Sequence, residues 1–472
     1  MYIEQFYVPK IAHSSYLLGG KGNCAIVDPS RDVDIYIQAA KRMGFNITHI
    51  LETHLHADFI SGHMDLAEKT GARIYAPASA NCQFSHEAVQ EGDAFKIDDV
   101  TIRVIETPGH TPEHLSYIVI DESRGDDPAV VFCGDTLFVG DVGRPDLFPG
   151  RARELASRLF ESLKKLKALP DFCEVLPAHG AGSLCGRAMG AKRRSTIGYE
   201  KKYNEALLIG SEEEFIDSLT SEMPPVPDHF GRCSEINRKG PQLVRKLGKV
   251  RGLKPLEFGE LAKSEQSIVL DCRAYDAFGG QHIKDAFGID FDGNFPTFSG
   301  WVIPPDKEIL LLTPSRVEAE DVAVWLRRVG LDRAMGFLEG GMFEWAKDGL
   351  PASHICQVSA PELEVIRKQE SIQILDVRAP SEFADHHIEG AINIPAPDLR
   401  ERYQELDKEK EYYLICSTGH RSTLAISILM QRGFCHLVNV AGGMTGMGEL
   451  GENRELIKKW GSFPYRGRLH RK

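Results

Sequence analysis

A chain of 472 residues is too long for one hydrophobic core and points to about three domains. With 42% hydrophobic and 26% charged residues it has the make-up of ordinary soluble globular protein. Its net charge of -12 argues against a nucleic-acid or membrane-surface role, because a phosphate backbone requires a positive footprint and no basic stripe occurs before the short tail Arg466 to Lys472, read as a solvated terminus. No run of about 18 apolar residues exists to span a bilayer, and Met1 to Lys10 lacks a basic segment followed by an apolar core, so a cytosolic location is expected. The ten cysteines are scattered with no C-x-x-C pair, which fits reduced thiols better than a disulfide framework.

From Met1 to about Val250, short apolar strands (Asn23 to Val27, Ile47 to Leu51, Thr101 to Ile105) alternate with helical stretches (Val33 to Met43, Arg153 to Leu166), a mixed α/β layer pattern. Three metal-ligand types stand at alternate positions, His54, His56 and Asp58, at the end of one apolar run. His110 follows the strand-like Val100 to Ile105, and Asp135 follows Ala129 to Val131. Each lies just beyond a strand, where α/β folds keep their chemistry, so a metal site is expected. The segment Glu200 to Gly240 reads as helical at first and then irregular around Pro224 to Pro227, wrapping back over the first domain before a linker.

Beyond Leu253 the chain repeats itself. Asp271 to Ile289 aligns without gaps on Asp376 to Ile394, with eight of nineteen positions identical: Asp271, Arg273, Ala274, Phe278, His282, Ile283, Ala286 and Ile289. Average residue usage yields only about one or two such matches by chance. Further on, Thr313 faces Cys416, amphipathic helices follow (Ala319 to Val329, Thr423 to Arg432), and both copies reach a Gly-Gly-Met. Two copies of one α/β domain are expected, with a boundary near Pro351 to Ser359.

In the second copy, strand Tyr412 to Ile415 delivers Cys416, Ser417, Thr418, Gly419, His420 and Arg421 to the start of a helix. The helix dipole, unpaired N–H groups and the guanidinium of Arg421 favour a thiolate at Cys416. Gly419 lets the loop curl into an anion-binding nest, so that Ser417, Thr418, Gly419 and His420 become candidate substrate-binding residues. The loop resembles that of the rhodanese sulfurtransferases, Cys-x-x-Gly-x-Arg, which implies Cys416 and Arg421 as catalytic residues. Related phosphatase loops are one residue longer, and an arsenate-reductase or phosphatase reading is the alternative. The first copy has Thr313 and Glu318 at the corresponding places, and is expected to be inactive, with a packing or interface role.

The motifs around His54, His110, Asp135 and His179 together resemble the metallo-β-lactamase fold over most of residues 1 to 250, which implies an αββα sandwich. Two-metal hydrolases of this fold, glyoxalase II among them, carry a histidine directly after the aspartate, where this chain has Phe59. A phenyl ring cannot ligate, so one metal is expected. The resemblance to mononuclear persulfide dioxygenases of the ETHE type implies His54, His110 and Asp135 as ligands of one Fe(II) per chain, with zinc as the alternative. It leaves His56, Asp58 and His179 to orient ligands or water, or His56 to ligate directly. Arg144 is either an anchor for the carboxylate of a thiol cofactor or the partner of Asp146.

The expected organisation is therefore α/β and multidomain: residues 1–250 a metallo-β-lactamase-fold dioxygenase domain, 251–354 an inactive rhodanese-like domain, and 355–472 an active one. This resembles the CstB-type persulfide dioxygenase and sulfurtransferase fusions of bacteria. It implies as partners a low-molecular-weight thiol persulfide (glutathione, coenzyme A or bacillithiol type), O₂ and sulfite, with thiosulfate formed at Cys416. The alternatives are a zinc-dependent thioester hydrolase of the glyoxalase II type with rhodanese domains, or a sulfur-carrier or binding protein. A homodimer or tetramer is expected.

Overall fold

The computed structural model describes residues 1–187, 189–221, 223, 225–369 and 371–450; the basic tail lies outside them. The chain divides into two compact units, residues 1–247 with 324–332, and 248–323 with 333–472.

The first unit is built on two six-stranded sheets. One takes Tyr2–Val8, His13–Gly19, Asn23–Val27, Asn46–Leu51, Arg73–Pro77 and Glu87–Val89 in that order. The other runs Ser195–Thr196, Glu174–Pro177, Val130–Gly134, Leu115–Asp121, Val100–Glu106 and Ala94–Ile97. Side chains alternate across a strand, and the sequence uses both faces. Tyr16, Leu18, Ala25 and Val27 pack between the sheets with Val104, Tyr117 and Phe132. Their neighbours Leu17, Cys24 and Ile26 face outward, onto Tyr36 and Ala40 of helix Asp34–Met43 and Leu66 of helix His63–Thr70. The outer face of the second sheet packs on helix Ala152–Lys167. That helix buries Leu155, Leu159, Leu163 and Leu166 on one stripe, each worth about 1.5–3 kcal/mol against exposure. The layers are α, β, β, α.

Residues 197–239 are more helical than their prolines suggest. Helices Ile197–Tyr203, Glu205–Leu208 and Glu212–Thr220 are followed by a further helix, His229–Lys239. The last one braces the loop after strand Asn46–Leu51: buried Asn237 donates to the carbonyls of His56 and Phe59, both at 2.8 Å, and accepts from Ser61 N at 2.9 Å.

The second unit holds two five-stranded sheets of one design. The first orders Arg251–Leu253, Ala334–Leu338, Glu308–Leu312, Ser267–Asp271 and Phe287–Gly288; the second orders Cys356–Ser359, Leu437–Ala441, Tyr412–Ile415, Gln373–Asp376 and Ile392–Asn393. Every ladder in both is parallel. The repeated residues are structural braces. Arg273 forks onto Asp271 and reaches Gln281 O at 2.6 Å, and Arg378 forks onto Asp376 and reaches His386 O at 2.5 Å. Phe278 stacks on His282 with ring centroids 4.1 Å apart, and Phe383 on His387 at 4.0 Å. Among the described residues no helix is long and apolar enough to cross a membrane.

Candidate metal centre and cysteine loop

Four loops at strand ends converge in the first unit. The loop after Asn46–Leu51 carries His54, His56 and Asp58. The turn between Val100–Glu106 and Leu115–Asp121 carries His110, and the ends of Val130–Gly134 and Glu174–Pro177 carry Asp135 and His179. His54, His110 and Asp135 offer ligand atoms that all lie within 4.8 Å of one another, and all three are buried. His110 Nε2 stands 3.3 Å and His54 Nε2 3.8 Å from Asp135 Oδ2. Gly134, at φ +48°, turns the chain toward the site where a Cβ would lie 2.4 Å from His114 Nε2.

The hydrogen bonds behind these histidines fix their tautomers. His110 Nδ1 donates to the Arg144 carbonyl at 2.9 Å, which leaves Nε2 with its lone pair. The Thr53 hydroxyl gives its single proton to Asp28 Oδ2 at 2.9 Å and so accepts from His54 Nδ1 at 2.9 Å, leaving His54 Nε2 bare too. Both Nε2 atoms are buried without a hydrogen-bond partner. Burial keeps both rings neutral, well below the ordinary range for His54 and below it for His110. Asp135 is held as a carboxylate: burial opposes its charge, but His179, by its positive charge and its hydrogen bond, outweighs that and pushes the Asp135 pKa well below the usual range. Two bare imidazole nitrogens without a hydrogen-bond partner, aimed at a carboxylate that His179 holds in place, fit a divalent cation.

The remaining sequence candidates arrange themselves around this set. His179 Nδ1 lies 2.8 Å from Asp135 Oδ1 and its Nε2 2.9 Å from Asp58 Oδ2; burial works against the protonated ring, but these two carboxylates raise its pKa well above the ordinary value. His56 groups with Asp28 and Glu52, its Nε2 3.2 Å from Asp28 Oδ1, while its buried Nδ1 has no hydrogen-bond partner. Phe59, where a further ligand would stand, is fully buried and packs with Val8, Ile11 and Trp325, its ring 4.1 Å from that of His13.

Arg144 is fully buried, forks onto Asp146 through Nε and an Nη at 2.7 Å each, and donates to Leu184 O at 3.0 Å. Of the two roles set out from the sequence, this geometry fits the structural ion pair.

His13 and His114 are not among the residues singled out from the sequence. His13 opens the second strand of the first sheet, yet it bridges to His179, and the two ring centroids lie 5.5 Å apart. Cys185 groups with Asp58 and His179. His114, four residues after His110, accepts from Asp135 N at 2.9 Å; that spacing was the one available hint.

In the second unit, strand pairing sets Asp271 opposite Leu312 and Asp376 opposite Ile415, so Thr313 and Cys416 follow equivalent strand ends. Thr313 donates its hydroxyl to Ser315 O at 2.9 Å. Cys416, 1% exposed, has its sulfur 3.1 Å from Gly419 N and 3.6 Å from Ser422 Oγ. Arg421 forks onto Glu382 at 2.6 and 2.8 Å and reaches Ser417 Oγ at 2.6 Å, so its fork is held by a carboxylate of its own copy. Arg421 brings the Glu382 pKa down to about 2. Thr418 is exposed at the loop tip. Gly443, at φ +52°, lets Met444 N reach Cys416 O at 2.7 Å where a Cβ would lie 2.2 Å from that oxygen. Gly443→Ala is therefore expected to cost about 1–3 kcal/mol, read as a lower urea midpoint, and to slow any chemistry at Cys416; an unchanged midpoint would show that the loop gives way freely.

The model of the metallo-beta-lactamase superfamily matches residues 8–179, and that of the rhodanese-like domain matches 254–348 and 359–449. The chain is 35% identical over 205 residues to a hydroxyacylglutathione hydrolase of Rhodopseudomonas palustris, across 43% of this chain and 71% of that protein. It spans a little more than half the length of several other hydrolases of that name. Among solved structures, a metallo-beta-lactamase from Staphylococcus aureus subsp. aureus COL is 36% identical with a TM-score of 0.65, covering 72% of this chain and 98% of that one. ETHE1 from Myxococcus xanthus is 28% identical with a TM-score of 0.44, over 50% of this chain and 98% of that one.

Proposed function

The chain belongs to the metallo-beta-lactamase superfamily and carries two rhodanese-like domains, and from that premise we propose that it oxidises a low-molecular-weight thiol persulfide to sulfite and passes sulfane sulfur through Cys416 to form thiosulfate. The observation that carries this reading is the donor set of the first unit: two bare histidine nitrogens and one carboxylate converge, while Phe59 fills a ligand position with an apolar ring. Two histidines and one carboxylate suit mononuclear Fe(II). When bound, the iron would supply open positions for O₂ and a substrate sulfur together. Overall, R–S–SH, O₂ and water give R–SH, sulfite and two protons.

The chain's own residues set the frame for this. Arg144 O and Thr53 Oγ1 hold the two imidazoles in the tautomer that presents Nε2, and the His179 ring, lying between Asp58 and Asp135, keeps the Asp135 carboxylate in place. At Cys416, sulfite attacks the outer sulfur of a persulfide. The new S–S bond makes thiosulfate as the old one breaks, and the electron pair returns to the Cys416 thiolate, facing Gly419 N–H. No outside oxidant is needed. We place the protein in a reducing compartment such as the cytosol, in keeping with ten free cysteines.

The name of the curated relatives favours a second reading, hydrolysis of an acylated thiol such as an acylglutathione. One experiment separates the two: metal analysis of the purified chain together with oxygen uptake on glutathione persulfide. We expect about one iron per chain and rapid uptake. Bound zinc, no uptake, and hydrolysis of an acylglutathione without oxygen would replace the dioxygenase reading with the hydrolase.

A further inference from the structure

The cysteine loop of the second copy is completed by the first. Asp290, just beyond strand Phe287–Gly288, brings Oδ2 to 3.0 Å from His420 Nδ1, the buried nitrogen of that ring, as an ion pair without hydrogen-bond alignment. Asp290 is itself fixed, accepting from Tyr275 N at 3.1 Å and Asp292 N at 2.9 Å. The Tyr275 ring meets His420 edge-on with centroids 5.2 Å apart, and lies 3.2 Å from where a Cβ on Gly419 would stand. These are positions where the repeat diverges: in the gapless register Tyr275 faces Pro380 and Asp290 faces Pro395. The first copy has lost its nucleophile while holding, at the point of contact, polar groups that the second copy lacks.

The charges around His420 are Asp290 and Asp292 from the first copy, and Arg421 with its partner Glu382 in its own. Arg421 is committed to Glu382, so its charge is already answered at close range. The contact with Asp290 raises the basicity of His420 above its ordinary value against the effect of partial burial. The His420 side chain keeps 36% of its surface exposed.

We propose that the nucleophile-less copy is a positioning element for its sister: Asp290, backed by Tyr275, holds the ring of His420, a member of the Cys416–Arg421 loop, in one orientation, so that its Nε2–H receives the sulfite dianion. This rests on the reading of Cys416 as a sulfurtransferase nucleophile. The sign follows from the geometry. A protonated ring binds the anion and a neutral one does not, so sulfite use falls as pH rises through the His420 titration, and removing Asp290 brings that fall to lower pH. Cyanide, which reacts as the anion through carbon after hydrogen cyanide gives up its proton to water, has no oxyanions for the ring N–H to hold.

The test uses the full chain and Asp290→Asn, comparing thiosulfate formation from sulfite with thiocyanate formation from cyanide, alongside the titration of His420 by selective histidine labelling and NMR. We expect the variant to need about tenfold more sulfite in the pH range between the two His420 titrations, where only the unaltered ring is charged, and little more below both, with cyanide use unchanged and His420 titrating at lower pH. Equal losses with both acceptors, or an unmoved His420 titration, would overturn the proposal. Should Asp290→Asn fail to fold, the His420 titration in the unaltered full chain keeps the question open to test: a ring that titrates above the ordinary histidine range supports the proposal, and one that titrates at or below it overturns it. A chain that transfers no sulfur to either acceptor would sink the reading of Cys416, while the His420 titration, which needs no substrate, would still decide whether Asp290 holds the ring charged.

Discussion

Cys416→Ser is expected to cut thiosulfate formation by at least about 10³-fold while oxygen uptake and sulfite production continue, so that sulfite accumulates in the place of thiosulfate. A serine hydroxyl cannot carry sulfane sulfur, and no step of the transfer survives without the S–S bond that Cys416 forms and breaks. The change is nearly isosteric. Cys416 is 1% exposed at a strand end, and its backbone carbonyl keeps the bond to Met444 N at 2.7 Å, so the fold should be retained within about 1 kcal/mol. Product analysis by ion chromatography beside an oxygen electrode reads both halves at once. Thiosulfate persisting above the uncatalysed background would move the nucleophile to another cysteine; loss of oxygen uptake as well would mean that the two activities are not separable in this chain.

Asp135→Asn is expected to lower metal affinity by at least about 100-fold and to abolish oxygen uptake, because it removes the one anionic ligand from a set of three and replaces it with a weaker neutral oxygen donor. The effect reaches further than the ligand. His179 loses one of the two carboxylates between which it sits, and the bond from its Nδ1 to Asp135 weakens. Metal content after dialysis and the oxygen electrode provide the check, with Cys416-dependent sulfur transfer from thiosulfate to cyanide as the control, since that chemistry uses the other unit. A variant retaining stoichiometric iron and full uptake would falsify the assignment of Asp135.

The sequence carried the architecture because period-2 apolar strands, helical stripes and a gapless repeat are local patterns that a chain displays before it folds. The order of the layers and the twin parallel sheets of the second unit follow those patterns. It also carried the residue types of both centres, because a ligand or nucleophile beyond a strand sits in a motif of a few residues. Helix His229–Lys239 was hidden by the prolines before it, and its Asn237, which braces the loop of His56 and Phe59, belongs to no local motif.

What the sequence determined by itself was which groups are available: two imidazoles and a carboxylate at His54, His110 and Asp135, a thiol and a guanidinium at Cys416 and Arg421, and an apolar ring at Phe59. Tertiary structure alone decided how each is employed. Arg144 is buried against Asp146, Arg421 is forked onto Glu382, and His420 is met by Asp290 from the other copy of the repeat. The reason is physical. A residue's type is a property of its own position, but its charge state, free donors and orientation depend on partners 2 to 181 positions away, and only folding brings those within hydrogen-bond reach.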